Sequence, residues 1–331
     1  MKPAAVLCGI GSWLPPNVVT NEALSRYLDT SDEWIRSRTG IRERRVVEPG
    51  VSMGDLAVEA GGRALKSSGT GGADLVILAT TTPDHPCPAT APDVAHRLGL
   101  GDVPAWDLSA VCSGFVYGLA AAAGFIAAGS AERVLLIGAE AFSTLLAPGD
   151  RNTRAIFGDG AGAVVLRAGD RYEPGALGPV RLGSDGSLRE LITVPAGGSR
   201  QPSGPESERY FTMQGKAVFR HAVTRMAEAA SEVRRLAGWR PQDVDCFVAH
   251  QANSRIIHAV AEKLQVPAER CALNIGQVGN TAAASVPVAL ADAAATGLLR
   301  PGHRALLAAF GGGATWGAAA LTWPDVTPEA A

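Results

Sequence analysis

Three side chains of this sequence could together handle a thioester: the thiol of Cys112, the imidazole of His250 and the carboxamide of Asn280. Cys112 stands between a strand-like apolar run, residues 103–108, and a run of small residues that begins at Ser113. A thiol at the start of a helix meets the positive end of the peptide dipoles, which favours the thiolate at neutral pH. We therefore expect Cys112 to be a nucleophile.

The other two side chains occupy similar places in the second half of the chain. His250 follows an apolar, strand-like run, and Asn280 follows a glycine turn. A lone cysteine is more often buried for packing alone. The strand-to-helix corner at Cys112, where Ser113 and Gly114 leave room for a substrate, favours the catalytic interpretation.

Composition narrows the class of protein. The 331 residues exceed what one hydrophobic core usually serves, which predicts two cores or a duplicated unit. A formal charge of −2 with both signs interspersed indicates neither a nucleic acid nor a membrane as partner. The five cysteines include no CxxC pair, and no metal-binding motif occurs, so we expect a reducing cytoplasm and no metal site. The apolar run 4–10 is typical of a first strand and is too short for a signal peptide.

An internal repeat predicts the architecture. Each half has the order helix, strand, helix, strand, strand: 53–68, 74–79, 113–128, 133–138 and 161–167, then 217–237, 245–249, 281–299, 304–309 and 317–323. Cys112 and Asn280, 168 residues apart, are expected to begin equivalent helices, and Arg133 and Arg304, 171 apart, equivalent strands. We therefore divide the chain into related halves at 1–170 and 171–331.

Alternating strands and helices predict an α/β fold with predominantly parallel sheets covered on both faces. Ligands bind such sheets beyond the carboxyl ends of the strands. Cys112, His250 and Asn280 should therefore converge where the two halves meet.

Four motifs, which span most of the chain in order, resemble those of β-ketoacyl-acyl-carrier-protein synthase III. They are TSDEWI with RTGI (30–35 and 38–41), FGDGAGA (157–163), HQAN (250–253), and FGGG with TWG (310–313 and 315–317). The resemblance implies a thiolase-like duplicated fold with α-β-α-β-α layers, mostly parallel mixed sheets and a homodimer. It implies no cofactor, since the coenzyme A thioester is a substrate.

The resemblance also implies a decarboxylative Claisen condensation that starts a fatty acid or polyketide chain. Cys112 would take the acyl group of an acyl-coenzyme A, and malonyl-acyl carrier protein would lose carbon dioxide and attack the acyl-cysteine. His250 and Asn280 would donate hydrogen bonds to the malonyl thioester oxygen, and the backbone N–H groups of Cys112 and Gly312 would form an oxyanion hole.

Binding residues are carried over in the same way. The resemblance implies that Trp34 and Arg151 flank the adenine of coenzyme A, that Arg38 and Arg255 lie near its phosphates, and that Asn253 lies near the pantetheine. Phe310 would stand beside the nucleophile in the acyl pocket.

Cys87 matches a loop position that reaches the partner subunit's acyl pocket, where members that prefer the smallest primers often carry Phe. The smaller side chain predicts primers larger than acetyl, such as propionyl or isobutyryl.

Other functions stay open from the sequence. An acyltransferase of the same fold that makes an ester or amide would keep the cysteine but usually departs from the His and Asn pair. A cysteine hydrolase or a silent acyl-coenzyme A binder fits the duplicated pattern less well. The glycine cluster 158–162 precedes a strand and not a helix, so it does not predict a dinucleotide site. The loop 195–208 is expected to lie over the entrance.

Overall fold

The computed structural model describes residues 2–329. The strands are β1 Ala4–Trp13, β2 Val18–Thr20, β3 Glu43–Arg45, β4 Leu75–Ala79, β5 Ala105–Leu108, β6 Arg133–Glu140, β7 Gly160–Gly169, β8 Leu177–Ser184, β9 Ile192–Thr193, β10 Thr212–Met213, β11 Cys246–Ala249, β12 Arg304–Gly311 and β13 Thr315–Thr322. The α-helices are α1 Asn21–Ser25, α2 Asp32–Thr39, α3 Met53–Ser67, α4 Ala91–Arg97, α5 Gly114–Ala127, α6 Arg151–Arg154, α7 Gly215–Leu236, α8 Ser254–Leu264, α9 Ile275–Val278 and α10 Ser285–Ala295.

Two large sheets have the same strand order, which confirms the duplication. The first has the order β1-β7-β6-β4-β5, and the second has the order β8-β13-β12-β11. The second sheet has no full counterpart of β5, but an isolated parallel bridge joins Phe247 of β11 to Cys271 at that edge. Each half therefore builds one sheet by the same route.

Both sheets are mixed, and the expectation of predominantly parallel pairing needs a correction. Most strands of each sheet share one direction, but β7 and β13 run against their neighbours. Of the seven neighbouring pairs in these sheets, three are parallel and four antiparallel. The reason is that the last strand of each repeat returns as a hairpin beside its predecessor and not through a helix.

Five layers follow from the way the helices cover the sheets. One apolar cluster joins both sheets to α5 and α10, which lie between them. A second cluster packs α3 and α4 on the outer face of the first sheet, and a third packs α7 and α8 on the outer face of the second. The predicted α-β-α-β-α arrangement is confirmed.

Small residues allow the central layer to pack closely. Gly118 of α5 lies where a side chain would collide with Leu136 of β6, and a Cβ on Gly138 would lie 2.5 Å from the carbonyl oxygen of Ala283. The predicted elements agree with the structure to within a few residues at most ends. The main difference is α10, which ends at Ala295 because Gly297 then takes a φ of +74°.

The two halves share a core, so they are not separate folding units on this evidence of packing. The strands of the first sheet lie within residues 4–169 and those of the second within 177–322. The division at residues 170 and 171 stays a prediction. Among residues 2–329, no helix combines the length and apolarity needed to cross a membrane.

Candidate active site

Cys112 lies in a tight turn between β5 and α5. The 3-10 turn Val111–Ser113 follows β5 directly and leads into α5 at Gly114. Val111 has a φ of +47°, a conformation that is a genuine outlier for a β-branched residue. Such strain is typical of sites where the backbone must present one side chain in one direction. The turn places the buried Cys112 thiol where the two halves meet.

A glycine turn from the second half packs against this nucleophile turn. A Cβ on Gly311 would lie 2.8 Å from the backbone nitrogen of Cys112, and one on Gly312 would lie 2.9 Å from Cγ2 of Val111. The backbones can approach this closely only because neither residue has a side chain. The structure therefore brings together the two backbone segments predicted to form the oxyanion hole.

His250 follows β11 directly and is buried. Its backbone N–H donates to the carbonyl oxygen of Ala308 at 2.8 Å, which continues the pairing of β11 with β12. Its ring Nδ1 lies 2.5 Å from Oγ of Ser285, the first residue of α10. Burial lowers the pKa of His250 to about 3, so the imidazole is neutral at physiological pH. A neutral ring has one N–H to donate and one nitrogen to accept.

The carboxamide of Asn280 is oriented by its own turn. Its Oδ1 accepts a hydrogen bond from the backbone N–H of Ala282 at 2.9 Å, so the NH₂ group points the other way. Its backbone N–H donates to Ile156 and its carbonyl accepts from Gly158, both at 2.9 Å. This segment is therefore held from both sides, and the amide is set to donate hydrogen bonds.

Contacts link the three residues into one region. The bridge between Phe157 and Asn280 places Phe157 beside the carboxamide, and Phe157 packs in the same apolar cluster as Cys112. Ala282 belongs to that cluster, and α10, which carries the partner of His250, begins three residues later. The convergence expected from the sequence is present in the fold.

The expected thiolate is not what the resting site favours. Burial raises the pKa of Cys112 well above its ordinary value, and the negative charge of Glu140 raises it further. The hydrogen bond from its own backbone acts in the opposite direction but is the smallest of the three effects. The sequence-based prediction was wrong on this point because the helix end lies in a dry interior, where desolvation dominates.

Glu140 is a buried carboxylate in this region that sequence reasoning missed. It ends β6, receives hydrogen bonds from the backbone N–H of Thr81 at 3.0 and 3.1 Å, and accepts another from Thr82 Oγ1 at 2.7 Å. Burial raises its pKa to about 7, although these hydrogen bonds oppose the rise. The signal available in the sequence was a single acid at the end of an otherwise apolar strand.

Ser285 was missed as well, because a serine at the start of an alanine-rich helix has no distinctive spacing. Its Oγ lies 3.4 Å from the backbone nitrogen of Gln251 and accepts that long hydrogen bond, so its own proton is directed to His250 Nδ1. The imidazole proton then lies on Nε2. The neutral ring of His250 therefore presents an N–H on the side away from Ser285.

A cavity of about 360 Å³ adjoins the two turns. Val111, Gly312 and Gly313 line one side, and the loop after β9 reaches it with Gly197 and Gly198, as expected of a loop over the entrance. The remaining wall is mostly apolar: Thr81, Phe142, Leu145, Ile192, Thr193, Val194, Ala196 and Phe211. Two larger clefts, of about 640 and 630 Å³, lie elsewhere and contain none of the three candidate catalytic residues, so volume alone does not identify the site.

The two acyl-pocket residues behave differently. Phe310 is buried in the apolar cluster of the second half and does not line this cavity. Cys87 is exposed on the loop between β4 and α4 and does not line it either. That position fits a residue that acts outside its own chain, but its role stays a prediction.

The residues assigned to coenzyme A form a surface patch. The guanidinium of Arg38 lies 4.6 Å from the ring centre of Trp34, and that of Arg151 lies 5.4 Å from it. Arg151 is also paired with Asp29 at 2.8 Å. An indole flanked by two guanidinium groups offers flat surfaces and positive charge together.

Asn253 ties this patch to the second half. Its Nδ2 donates to the carbonyl oxygen of Arg38 at 3.0 Å, and its Oδ1 accepts from the backbone N–H of Arg255, so Asn253 caps α8. Arg255 is exposed, with its guanidinium 5.8 Å from the ring of Phe219. The structure thus groups all five predicted binding residues along α2, α6 and the start of α8.

The glycine cluster 158–162 is a packing device and not a phosphate loop. It leads into β7, and a Cβ on Gly162 would lie 2.8 Å from Pro287 of α10. Within it, Asp159 is buried and accepts hydrogen bonds from Val47 and Ser143, which fixes the turn that carries Phe142. The sequence-based exclusion of a dinucleotide site agrees with this geometry.

Comparisons with known proteins agree with the site. The family model described as 3-oxoacyl-[acyl-carrier-protein (ACP)] synthase III matches residues 106–186, and the model of its C-terminal part matches residues 235–323. The chain is 60% identical over 331 residues to β-ketoacyl-[acyl-carrier-protein] synthase III 5 of Streptomyces coelicolor, with 99% of each protein covered. It belongs to the β-ketoacyl-acyl-carrier-protein synthase III family. The resemblance stated from four motifs is therefore confirmed.

Other members of the family are also similar over their full length. The enzyme named β-ketoacyl-[acyl-carrier-protein] synthase III of Pseudomonas aeruginosa is 52% identical over 328 residues, with 99% of each chain covered. A crystal structure of 3-oxoacyl-(acyl carrier protein) synthase III from that species matches with a TM-score of 0.93, 51% identity and coverage of 98% of this chain and all of the other. A priming β-ketosynthase of a polyketide biosynthetic pathway matches with a TM-score of 0.92, 34% identity and coverage of 99% and 98%.

Membership places this protein among the condensing enzymes of the acyltransferase class. It also removes the hydrolase and the silent binder from consideration, because both depart from the family. The thiolase-like α/β fold is likewise established by these neighbours.

Proposed function

We propose that Cys112 is the nucleophile of a decarboxylative condensation between an acyl-coenzyme A primer and malonyl-acyl carrier protein. The observation that supports this most directly is the orientation of its two neighbours. The hydrogen bond from Ser285 leaves an N–H on Nε2 of His250, and the hydrogen bond from Ala282 leaves the NH₂ of Asn280 free to donate. Two N–H groups beside one buried thiol suit a site that must stabilise an enolate oxygen.

The first half-reaction transfers the acyl group. The sulfur of Cys112, once deprotonated, attacks the thioester carbonyl of acyl-coenzyme A, and the coenzyme A thiolate leaves and takes up the proton. The negative oxygen of the tetrahedral intermediate would be held by the backbone N–H groups of Cys112 and Gly312. Removing one such donor from a dry site typically costs about 2.7–4 kcal/mol of barrier.

The second half-reaction uses His250 and Asn280. Malonyl-acyl carrier protein loses carbon dioxide, and the electron pair of the broken C–C bond becomes an enolate whose oxygen accepts hydrogen bonds from both side chains. The carbon of that enolate attacks the acyl-cysteine and expels the Cys112 thiolate, which completes the 3-ketoacyl product. No cofactor is required for either step, because the thioesters supply the reacting groups.

Coenzyme A would bind along the patch around Trp34. A flat base fits beside the indole and Arg151, while Arg38 and Arg255 supply positive charge for phosphates. Asn253, at the start of α8, would lie closer to the pantetheine arm. The same exposed arginines could meet the acidic surface of an acyl carrier protein.

We further propose primers larger than acetyl. The cavity of about 360 Å³ is within the range of ligand pockets, roughly 300–1,000 Å³, and its wall is mostly apolar. Cys87 brings little bulk to the position where family members with the smallest primers often carry Phe. Similarity to a priming ketosynthase supports a starter-unit role in fatty acid or polyketide synthesis.

A competition of acetyl-, isobutyryl- and hexanoyl-coenzyme A tests this proposal. We expect the wild-type enzyme to accept the branched or longer primers, and Cys87→Phe to shift the preference towards acetyl. Thr70→Phe, on the exposed loop before β4, is the control for added aromatic bulk. Strict selection of acetyl by the wild-type enzyme would reject the proposal.

The homodimer expected from the family would use the open edge of the first sheet. β5 has no neighbour on its outer side in this chain, and edge strands that are left open invite pairing with another strand. Trp106 of β5 lies 5.2 Å from the ring of Phe125, which is 37% exposed. We propose that two copies pair at this edge in the cytoplasm, and that Trp106→Asp yields monomers on light scattering.

The proposed nucleophile is tested by mass spectrometry after incubation with an acyl-coenzyme A. We expect one acyl adduct on wild-type protein and none on Cys112→Ala. Cys246→Ala is the matched control, because Cys246 is also buried and lies in β11. An adduct that persists in Cys112→Ala would place the nucleophile elsewhere.

The condensing reaction is tested by carbon dioxide release from malonyl-acyl carrier protein. Release should depend on a supplied acyl-coenzyme A, and His250→Ala or Asn280→Ala should retain acylation but lose condensation. An acyl adduct without any subsequent carbon–carbon bond formation would favour the acyltransferase that makes an ester or amide.

A further inference from the structure

Two strained turns meet beside Cys112. In the nucleophile turn, residues 110–113, Val111 has a φ of +47°, and in the glycine turn, residues 311–315, Gly313 and Ala314 have φ values of +73° and +44°. Val111 and Ala314 are not glycines, so this conformation is unfavourable for both. Such backbone persists only when surrounding contacts hold it. We therefore searched for the contacts that join the two turns.

A pair of hydroxyl groups joins them. Oγ of Ser113 lies 2.7 Å from Oγ1 of Thr315, and the two residues come from opposite halves of the chain. Oγ of Ser113 also lies 2.8 Å from the carbonyl oxygen of Ala110, while Oγ1 of Thr315 lies 3.0 Å from that of Gly312 and 3.2 Å from that of Ala110. Ser113 is fully buried, so water does not compete for these hydrogen bonds.

The number of protons makes the pair directional. Two hydroxyl protons are available, and one of them must lie between the two oxygens at 2.7 Å. The other then bonds either the Ala110 carbonyl, from Ser113, or a carbonyl of Ala110 or Gly312, from Thr315. In each arrangement a continuous hydrogen-bonded chain runs between the residues that flank Cys112 and the residue that follows the glycine turn.

This chain adjoins the two proposed donors of the oxyanion hole. Cys112 lies between Ala110 and Ser113, and Gly312 lies three residues before Thr315. The closeness of the two backbones at Gly311 leaves little freedom for either turn to move alone. We propose that the Ser113–Thr315 hydroxyl pair is a positioning device that fixes the separation of the Cys112 and Gly312 N–H groups for acyl transfer.

The inference rests on the proposed function, because it assumes that these two N–H groups stabilise the acyl-transfer intermediate. It can be separated from that function by comparing two reactions of the same sulfur. Acylation by an acyl-coenzyme A passes through a tetrahedral oxyanion, whereas alkylation by iodoacetamide is a direct displacement that forms none. A hole held too loosely should slow the first reaction and leave the second nearly unchanged.

The experiment measures both rates in Ser113→Ala and Thr315→Val, with Thr315→Ser as the conservative variant. We expect acylation to fall about ten- to a hundredfold in the first two, since small misplacements of catalytic groups have effects of this size. Alkylation should change by less than about threefold, and Thr315→Ser should acylate at nearly the wild-type rate. Thr296→Val, which removes a threonine hydroxyl at the end of α10, is the control.

A double-mutant cycle completes the test. If the two hydroxyls act as a unit, Ser113→Ala/Thr315→Val should lose no more acylation than the more affected single variant. Unchanged acylation, an equal loss of acylation and alkylation, or fully additive losses would each overturn the inference. Failure of the wild-type protein to acylate at all would instead refute the proposed function, and thermal unfolding of each variant identifies a folding defect.

Discussion

The Nδ1 atom of His250 lies 2.5 Å from the Oγ atom of Ser285, and this contact decides which ring nitrogen carries the proton. Ser285 accepts a hydrogen bond from the backbone N–H of Gln251, so its hydroxyl proton is directed to Nδ1. The burial that lowers the pKa of His250 to about 3 keeps the ring neutral. Together they leave a permanent N–H on Nε2, which is the form needed to donate to an enolate oxygen.

Replacing Ser285 with Ala should therefore impair decarboxylation and spare acylation. Without the serine proton, the neutral ring can place its own proton on Nδ1 and lose the Nε2 donor. We expect carbon dioxide release from malonyl-acyl carrier protein to fall about tenfold or more. Acyl-adduct formation on Cys112, measured by mass spectrometry, should stay at the wild-type rate.

Two further variants control this prediction. Ser285→Thr retains a hydroxyl and should recover most of the activity, while Ser130→Ala removes an exposed serine after α5 and should have no effect. If Ser285→Ala released carbon dioxide as fast as the wild type, the assigned tautomer would be wrong.

The positive patch offers a second prediction. Arg255→Gln should raise the KM for the acyl-coenzyme A about two- to fivefold at low ionic strength, because an exposed charge near the phosphates is removed. The effect should shrink at 1 M salt, where screening extends over only about 3 Å. Initial-rate kinetics at two salt concentrations measure it.

Arg235→Gln is the control for the loss of one exposed arginine, since Arg235 lies at the end of α7. A KM shift that is equal in both variants, or that does not depend on salt, would contradict a specific role for Arg255.

The repeat shows how far sequence alone could go. It predicted two equivalent halves, and the structure gives them a constant offset: β4, the nucleophile turn, α5 and β6 begin at residues 75, 111, 114 and 133, and their counterparts begin 171 residues later at 246, 282, 285 and 304. Asn280 was taken as the counterpart of Cys112, but that position is held by Ala283. The alanine run hid the turn, because its defining feature is the φ of +45° at Ala282 and not a residue type.

The catalytic region was only partly predictable for a related reason. Cys112, His250 and Asn280 have side chains whose chemistry marks them at strand ends, so their convergence followed from the fold class. The hydroxyls of Ser113, Thr315 and Ser285 have no such mark. Their importance depends on tertiary distances of 2.5–2.8 Å between residues from different segments, which no spacing along the chain encodes.

A third prediction concerns the ionisation of Cys112. Because burial and the charge of Glu140 raise its pKa, the rate of iodoacetamide alkylation should keep increasing with pH beyond pH 8. Glu140→Gln should alkylate faster than the wild type above pH 7, where Glu140 is ionised, and the difference should narrow below pH 7, where Glu140 is protonated. A plateau in the wild-type rate below pH 8 would instead support a thiolate stabilised by the helix dipole.

The fourth prediction follows from Glu140 itself, whose pKa rises from an ordinary value of 4.5 to about 7 on folding. The folded protein therefore binds this proton more tightly than the unfolded chain, so the contribution of Glu140 to stability falls as pH rises from about 4.5 to about 7. The loss amounts to at most about 3 kcal/mol. Since His250 acts in the opposite sense below pH 6.5, the useful quantity is the difference between variants.

Urea unfolding of the wild type and Glu140→Gln at several pH values between 5 and 8 measures that difference. The variant should gain stability relative to the wild type as pH rises, because Gln has no proton to lose. Glu262→Gln, on the exposed face of α8, is the matched control for removing an acid. If the stability difference between Glu140→Gln and the wild type stayed constant across this range, Glu140 would be ionised in the folded protein throughout, and its hydrogen bonds from Thr81 and Thr82 would outweigh its burial.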